Sequence, residues 1–203
     1  MRTFPFILLV VLVLNTGLLL LLREDAPANS RTFELPVSHL QDGDLVMRSG
    51  RGIISKFFRK MSLQDARYTH AGLVKTENGK AVIVHCLQDG SPGGLISESV
   101  ASFTSKNNCE SYAFYHYNLN SMQRKKLVSE IALDLQKGIS FNDNFELNNG
   151  SSKYCTEWVY DRIIAAANDS NYLPVSRLNS FCYIAPDNLY LNPHARLIWQ
   201  KKY

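Results

Sequence analysis

The sequence lacks the signature motifs of several large enzyme classes. It contains no G-x-S-x-G, H-E-x-x-H or P-loop pattern, so the usual signs of serine hydrolases, zinc proteases and P-loop nucleotide-binding enzymes are missing. A zinc site built from His70, His85, Cys86 and His116 lacks ligand spacing, and adjacent strand residues such as His85 and Cys86 point apart. We therefore expect no metal and no other cofactor.

Strong charge of one sign, repeats and low-complexity tracts are absent as well. Removing Arg2 and Arg23, which flank an apolar run, from the 22 basic residues leaves 20 against 18 acidic ones. That balance is too even to indicate nucleic-acid binding. A chain of 203 residues is long enough for one ordinary domain and short for two.

The N-terminal run from Phe4 to Leu22 has 19 residues without a charge. As a helix it would span about 28 Å, enough for the hydrocarbon core of a bilayer. A signal peptide cleaved after the Ala-Pro-Ala of residues 26–28 is the alternative, but its apolar region would be shorter. We predict a membrane anchor or signal sequence at 1–23, a linker at 24–38 and a catalytic domain at 39–203. Either reading carries the domain across the membrane, to the periplasmic side in a Gram-negative cell: a single-pass membrane protein or a secreted one.

Hydrophobic periodicity predicts an α+β fold, in which a small antiparallel sheet packs on helices. The predicted strands are residues 43–47, 70–75 and 81–87, and the predicted helices are residues 53–61, 121–137 and 155–168. The first helix is amphipathic and basic, with Lys56, Arg59 and Lys60 opposite its apolar stripe. Such a helix can lie on anionic lipid, but packing of its apolar face on the domain is the favoured interpretation.

Two histidines fall on a predicted hairpin. Asn78-Gly79 between β-rich runs is a strong turn signal. If Glu77 pairs with Lys80, counting back puts His70 and His85 on one face in diagonal positions.

Cys155 falls at the start of a predicted helix and on its inward face. A helix N-terminus stabilises negative charge, so we expect a lowered thiol pKa there. A buried cysteine that only packs is the alternative. Cys155, His70 and His85 together supply a nucleophile, a base and an orienting group, and the backbone N–H of Cys155 is a natural oxyanion donor. The three remaining cysteines allow at most one internal disulfide.

The motifs GDLVMRSG, YTHAGLV, VIVH and YCTEWVY occur in that order and resemble the permuted papain-like YiiX/YaeF group of the NlpC/P60 superfamily. The resemblance covers residues 40–190 and includes GISFNDNF and APDNLY. It implies a circularly permuted papain-like fold, with Cys155 as nucleophile, His70 as base and His85 as the third residue. Trp158 stands where an aliphatic residue is expected.

These features predict a membrane-tethered cysteine hydrolase that cleaves an amide bond through an acyl-thioester, in cell-wall peptide or another peptide. The alternatives are a lipid-directed acyl hydrolase or acyltransferase, and a non-catalytic binding module on the same fold. Arg48 and Trp158 are weak candidates for substrate contacts. The expected partners are the membrane, through the N-terminal helix, and a peptide or lipid-linked substrate.

Overall fold

Antiparallel strands form the main sheet of the computed structural model, which describes residues 37–88, 93–147 and 150–203. The strands are β1 (Leu45–Gly50), β2 (His70–Glu77), β3 (Lys80–Leu87), β4 (Gly94–Ser99), β5 (Cys109–Tyr117), β6 (Ser176–Leu178), β7 (Phe181–Tyr183) and β8 (Ala195–Lys202). The six strands of the main sheet lie in the order β4-β3-β2-β1-β5-β8, and β6 and β7 form a separate ribbon. The described residues belong to a single compact unit.

Helices follow or connect these strands. They are α1 (Ile53–Met61), α2 (Val100–Phe103), α3 (Ser121–Lys137), α4 (Cys155–Ala167) and α5 (Pro186–Tyr190). The third helix begins with a capping box between Asn120 and Gln123 and ends at Gly138, whose φ is 73°, as helix-terminal glycines commonly do. The predicted helices at 53–61 and 121–137 are thus confirmed, and the mixed α+β class with them.

The core lies between one face of the sheet and the pair α3–α4, because α4 packs on β2 and β3 and α3 packs on α4. Leu73, Val84, Leu127, Val159 and Ile163 are among its fully buried members. Strand residues alternate between faces, so neighbours of these core residues point to the other side of the sheet.

The hairpin has the predicted register, with Glu77 opposite Lys80. Asn78 and Gly79 both have positive φ, 49° and 74°, as a two-residue hairpin turn of type I′ requires. The strands β4, β5 and β8 were not predicted.

The predicted anchor at 1–23 and most of the predicted linker lie outside the described residues. Within 37–88, 93–147 and 150–203, no helix has the length and apolar character needed to cross a bilayer. Cys86, Cys109, Cys155 and Cys182 are all free thiols.

Candidate active site

Cys155 is the first residue of α4, and its neighbours fix that helix start. The Thr156 hydroxyl donates to the Ile184 carbonyl at 2.6 Å, and the Lys153 ammonium donates to the buried Glu157 carboxylate at 2.8 Å. The side chains that follow the cysteine in the motif therefore tie the helix to the segment at Ile184 and to the residue two positions before the helix. They hold the sulfur at a set place beside β2.

Cys155 and His70 line the same cavity, whose volume is about 230 Å³. Arg48 also lines it, and Ile53 and Ile54 of α1 form part of its wall. Pockets that enclose a whole small-molecule ligand are commonly about 300–1,000 Å³. This smaller cavity suits the part of a substrate next to the bond that reacts, with the remainder outside.

A chain of polar contacts leads away from the cavity through both histidines. Nε2 of His70 lies 2.8 Å from Nδ1 of His85, which confirms that the two share a face and meet diagonally. Nε2 of His85 lies 2.9 Å from Oε1 of Glu98, an ion-pair distance, although its N–H does not point straight at that oxygen. The order is therefore His70, His85, Glu98.

Glu98 is held by groups on both sides. The Ser102 hydroxyl donates to its Oε2 at 2.6 Å, and Nη1 of Arg48 lies 3.4 Å from its Oε1. Burial raises the pKa of Glu98, but the adjacent His85 ring, the hydrogen bond from Ser102 and the charge of Arg48 outweigh it and lower the pKa overall. Glu98 is thus ionised at neutral pH.

Phe103 packs against the same groups from α2. Its ring is stacked on His70 with centroids 5.8 Å apart and meets His85 edge-on at 5.1 Å. The Arg48 guanidinium lies 4.2 Å from the centre of that ring and donates to the Phe103 carbonyl at 3.1 Å. Phe103 thus packs against both imidazoles and against Arg48.

The pKa values of both histidines are below the ordinary value. For His70, burial lowers the pKa most, and the charges of Arg48 and His85 lower it further. For His85, burial also lowers the pKa and outweighs the opposing effect of Glu98. Both rings are therefore neutral at neutral pH, and His70, which keeps part of its surface accessible, can accept a proton.

The expected lowering of the Cys155 pKa is wrong for the resting protein. Burial raises the pKa of this thiol to about 11, although the backbone N–H groups of Ala71, Thr156 and Cys155 and the charge of Arg48 all favour the thiolate. Cys155 is 1% exposed, and the loss of hydration destabilises the thiolate more than the helix N-terminus stabilises it. The resting group is a thiol.

The two weak candidates for substrate contact have different surroundings. Arg48 lines the cavity, but its guanidinium is engaged by Glu98 and by the Phe103 carbonyl. Trp158 is not among the residues that line the cavity; its indole is buried and donates to Asp134 on α3 at 2.8 Å. Trp158 is a core residue.

Sequence reasoning missed Glu98 and Phe103. In β4, Ile96 pairs with His85, so Glu98 two residues later faces the same side. The Asp-Gly-Ser-Pro-Gly-Gly run at 89–94 is a turn signal that could have suggested a second hairpin. Extending the alternation from His85 across that turn would have found the carboxylate.

Within the described ranges, no group of three or more His, Cys, Asp and Glu side chains is arranged to hold a metal ion. His70, His85 and Glu98 instead contact one another in line.

Comparisons with known proteins were informative only at the level of structure. No family model matched the chain, and no curated protein matched it. The structure is similar to the crystal structure of the metalloprotein yiiX from Escherichia coli O157:H7, with a TM-score of 0.66 and 15% sequence identity. The match covers 80% of this chain and 98% of that one. The chain therefore has a YiiX-like fold, and the resemblance drawn from its motifs is confirmed at the level of the fold.

Proposed function

We propose that the protein is a cysteine hydrolase in which Cys155 attacks a carbonyl carbon and His70 serves as its base. The observation that carries this proposal is the line of contacts from His70 through His85 to Glu98, which begins in the cavity that Cys155 lines. A buried cysteine with only a structural role does not require these histidine and carboxylate contacts. Nucleophilic catalysis needs a base that a further group orients.

The contacts support one assignment of a proton to each histidine nitrogen. An ionised carboxylate can only accept, so Nε2 of His85 carries the proton that faces Glu98. Nδ1 of a neutral His85 then accepts from Nε2–H of His70. This leaves Nδ1 of His70 unprotonated, which is the form that a general base requires.

The reaction then proceeds in two halves. Nδ1 of His70 takes the proton of the Cys155 thiol as the sulfur bonds to the substrate carbonyl carbon. The carbonyl oxygen becomes an oxyanion, and the backbone N–H of Cys155, at the helix start, would donate to it. His70 returns the proton to the leaving amine and leaves an acyl-thioester. Water, deprotonated by His70, then hydrolyses that ester and frees the thiol.

The order of these parts along the chain supports a circularly permuted papain-like arrangement. The histidine strands β2 and β3 precede the nucleophile helix α4, whereas papain has its nucleophile first. The similar solved protein is described as a metalloprotein, but the described residues of this chain do not form a metal-binding set. No step of the proposed reaction uses a metal.

An amide in peptide, with cell-wall peptide as the leading choice, is the substrate that we propose. A lipid-directed acyl hydrolase or acyltransferase is the second candidate, because the apolar Ile53 and Ile54 form part of the cavity wall. A carbonyl carbon is attacked in both. The candidates differ in the leaving group and in what lies outside the cavity.

The test is hydrolysis by the purified full chain of matched amide, ester and thioester substrates that carry peptide or fatty-acyl groups. The proposal expects turnover of at least one peptide amide, and its loss in Cys155→Ala and His70→Ala. Preference for fatty-acyl esters would select the second candidate. Binding without turnover in all three series would contradict the proposal and indicate a non-catalytic module.

A further inference from the structure

The helix α1 exposes apolar side chains that the described part of the chain leaves wholly or partly uncovered. Ile53 is 84% exposed, Ile54 40%, Phe57 44% and the nearby Leu63 64%. We call these four residues the α1 surface. Isolated exposed apolar residues are common on proteins, but a group on one short segment indicates an interaction site.

The α1 surface is one half of a wide apolar stripe. At about 100° per residue, the apolar positions of α1 fill one side of the helix. Phe58 and Met61 are buried, and the Met61 carbonyl accepts from the Tyr183 hydroxyl at 3.0 Å. These contacts fix the helix on the domain. Phe57 also meets the Phe145 ring, with centroids 5.0 Å apart, but it keeps 44% of its surface exposed. The predicted packing on the domain therefore accounts for only part of the pattern.

Basic residues border the exposed half. Lys56 and Lys60 are exposed and lie on the helix next to Ile53 and Phe57. Residues 51–67 contain five basic side chains and one acidic one. Arg59 pairs with Glu110 and Arg67 with Asp65, whereas neither Lys56 nor Lys60 has an ion pair within the described ranges. Two cations therefore remain available for an anionic partner.

We propose that the α1 surface docks on an anionic lipid bilayer. A helix with Ile and Phe on one side and exposed lysines beside them matches the boundary where acyl chains meet anionic headgroups. The apolar side chains would enter the acyl region, and Lys56 and Lys60 would contact phosphate or carboxylate groups.

Docking would bring the reactive cavity to the membrane surface. Ile53 and Ile54 belong both to the α1 surface and to the cavity wall, so the mouth of the cavity would open where lipid and water meet. This holds for a peptide substrate near the membrane as well as for a lipid, so the inference does not depend on the bond that is cleaved.

Depth-dependent quenching tests the inference with the full chain. A tryptophan is placed at Ile53 (Ile53→Trp) or, as the matched control, at Met122 on α3, which is 78% exposed. Each is added to vesicles of brominated phosphatidylcholine with or without phosphatidylserine, and the signal of the wild type is subtracted. Bromines in the acyl chains quench only an indole that enters them.

Loss of Ile53→Trp fluorescence on vesicles with phosphatidylserine, well beyond that of Met122→Trp, is expected. Adding Lys56→Glu and Lys60→Glu, or raising the salt concentration, should restore the signal, because screening weakens surface charge interactions. Equal quenching at the two positions would overturn the inference. So would a dimer in solution that Ile53→Asp dissociates, since the α1 surface would then belong to a second copy.

Discussion

At Cys155, burial and the helix start act in opposite directions, and burial prevails in the resting protein. The thiol pKa of about 11 means that the thiolate forms only when His70 removes the proton. Proton removal during attack on a bound substrate fits this buried site, because the negative charge then passes from the sulfur to the carbonyl oxygen of the substrate. A permanent thiolate–imidazolium pair is not expected.

The acid side of the pH profile should report His70. Its pKa is lowered by burial and by nearby Arg48 and His85, so the neutral base persists as pH falls below the ordinary histidine pKa of about 6.5. We expect kcat/KM to hold down to that pH and to fall only below it. His39→Ala, at an exposed histidine, should not change the acid side of the kcat/KM profile. An acid limb above the ordinary pKa would contradict the assignment.

Glu98 should act as a positioning residue. In Glu98→Gln the amide can donate to Nε2 of His85. This favours the His85 tautomer with its proton on Nδ1, and in turn the His70 tautomer whose Nδ1 carries a proton and cannot act as a base. We expect kcat to fall by roughly 10²–10⁴-fold, as when a base is lost or held in the wrong tautomer, with little change in KM. Glu98→Asp should recover part of kcat. Glu110→Gln, at an exposed ion pair with Arg59, is the control. Equal kcat in Glu98→Gln and wild type, with both folded, would remove Glu98 from the mechanism.

At the scale of elements, the β2–β3 hairpin determines where the histidines meet. Gly72 faces His85 across this pair, and a Cβ there would lie 2.8 Å from Cγ2 of Ile83, 2.9 Å from the Val84 carbonyl oxygen and 3.1 Å from Cβ of His85. The Ile83 side chain can rotate, but the carbonyl belongs to the backbone. A side chain at this position must therefore displace β3.

Gly72→Ala should consequently reduce kcat, because displacement of β3 moves His85 relative to His70 and Glu98. The strain should also lower the free energy of unfolding by about 1–3 kcal/mol. Val74→Ala, at a buried residue of the same strand, should lower stability without pushing β3 and should keep kcat. Kinetics and thermal unfolding of both variants separate the two effects. Full activity in Gly72→Ala would contradict this role for the hairpin.

The elements that the sequence predicted are those with a strong local signal. The helices at 53–61 and 121–137 have clear periodicity, and Asn78-Gly79 fixes a hairpin. Strand β4 was missed because its Gly-Leu-Ile-Ser-Glu-Ser run has little apolar alternation, as is common at a sheet edge. Helix α2 has only 4 residues, too few for a period. The position of Glu98 depends on both elements, because Glu98 lies in β4 and accepts a hydrogen bond from Ser102 of α2.

At the scale of the molecule, the candidate site combines parts that are far apart in the chain. His70, His85 and Glu98 come from three successive strands that are adjacent in the sheet, and Cys155 comes from a helix that follows much later. The order of the motifs was sufficient to suggest the fold. The contacts that set the thiol pKa, and the pairing of Trp158 with Asp134, arise from long-range packing that no local pattern encodes.

We propose that the 19-residue uncharged run from Phe4 to Leu22 anchors the protein as a single membrane-spanning helix, with the catalytic domain outside the cytoplasm. The full chain should then stay with membranes after an alkaline carbonate wash, and protease added outside should digest the domain. A soluble product that begins at Asn29 would show cleavage after Ala28 and contradict the anchor, leaving a secreted hydrolase.

Trapping of the acyl-enzyme tests the central proposal most directly. The full chain is mixed with an activated acyl ester, quenched in acid and analysed by intact mass and peptide mapping. One acyl group on Cys155, bound as a thioester, is predicted. It should form much more slowly in His70→Ala and at the same rate in Cys182→Ser. Cys155→Ser should form no thioester at this position. Acylation at Cys86, Cys109 or Cys182 with Cys155 unmodified, or equal rates with and without His70, would contradict the account.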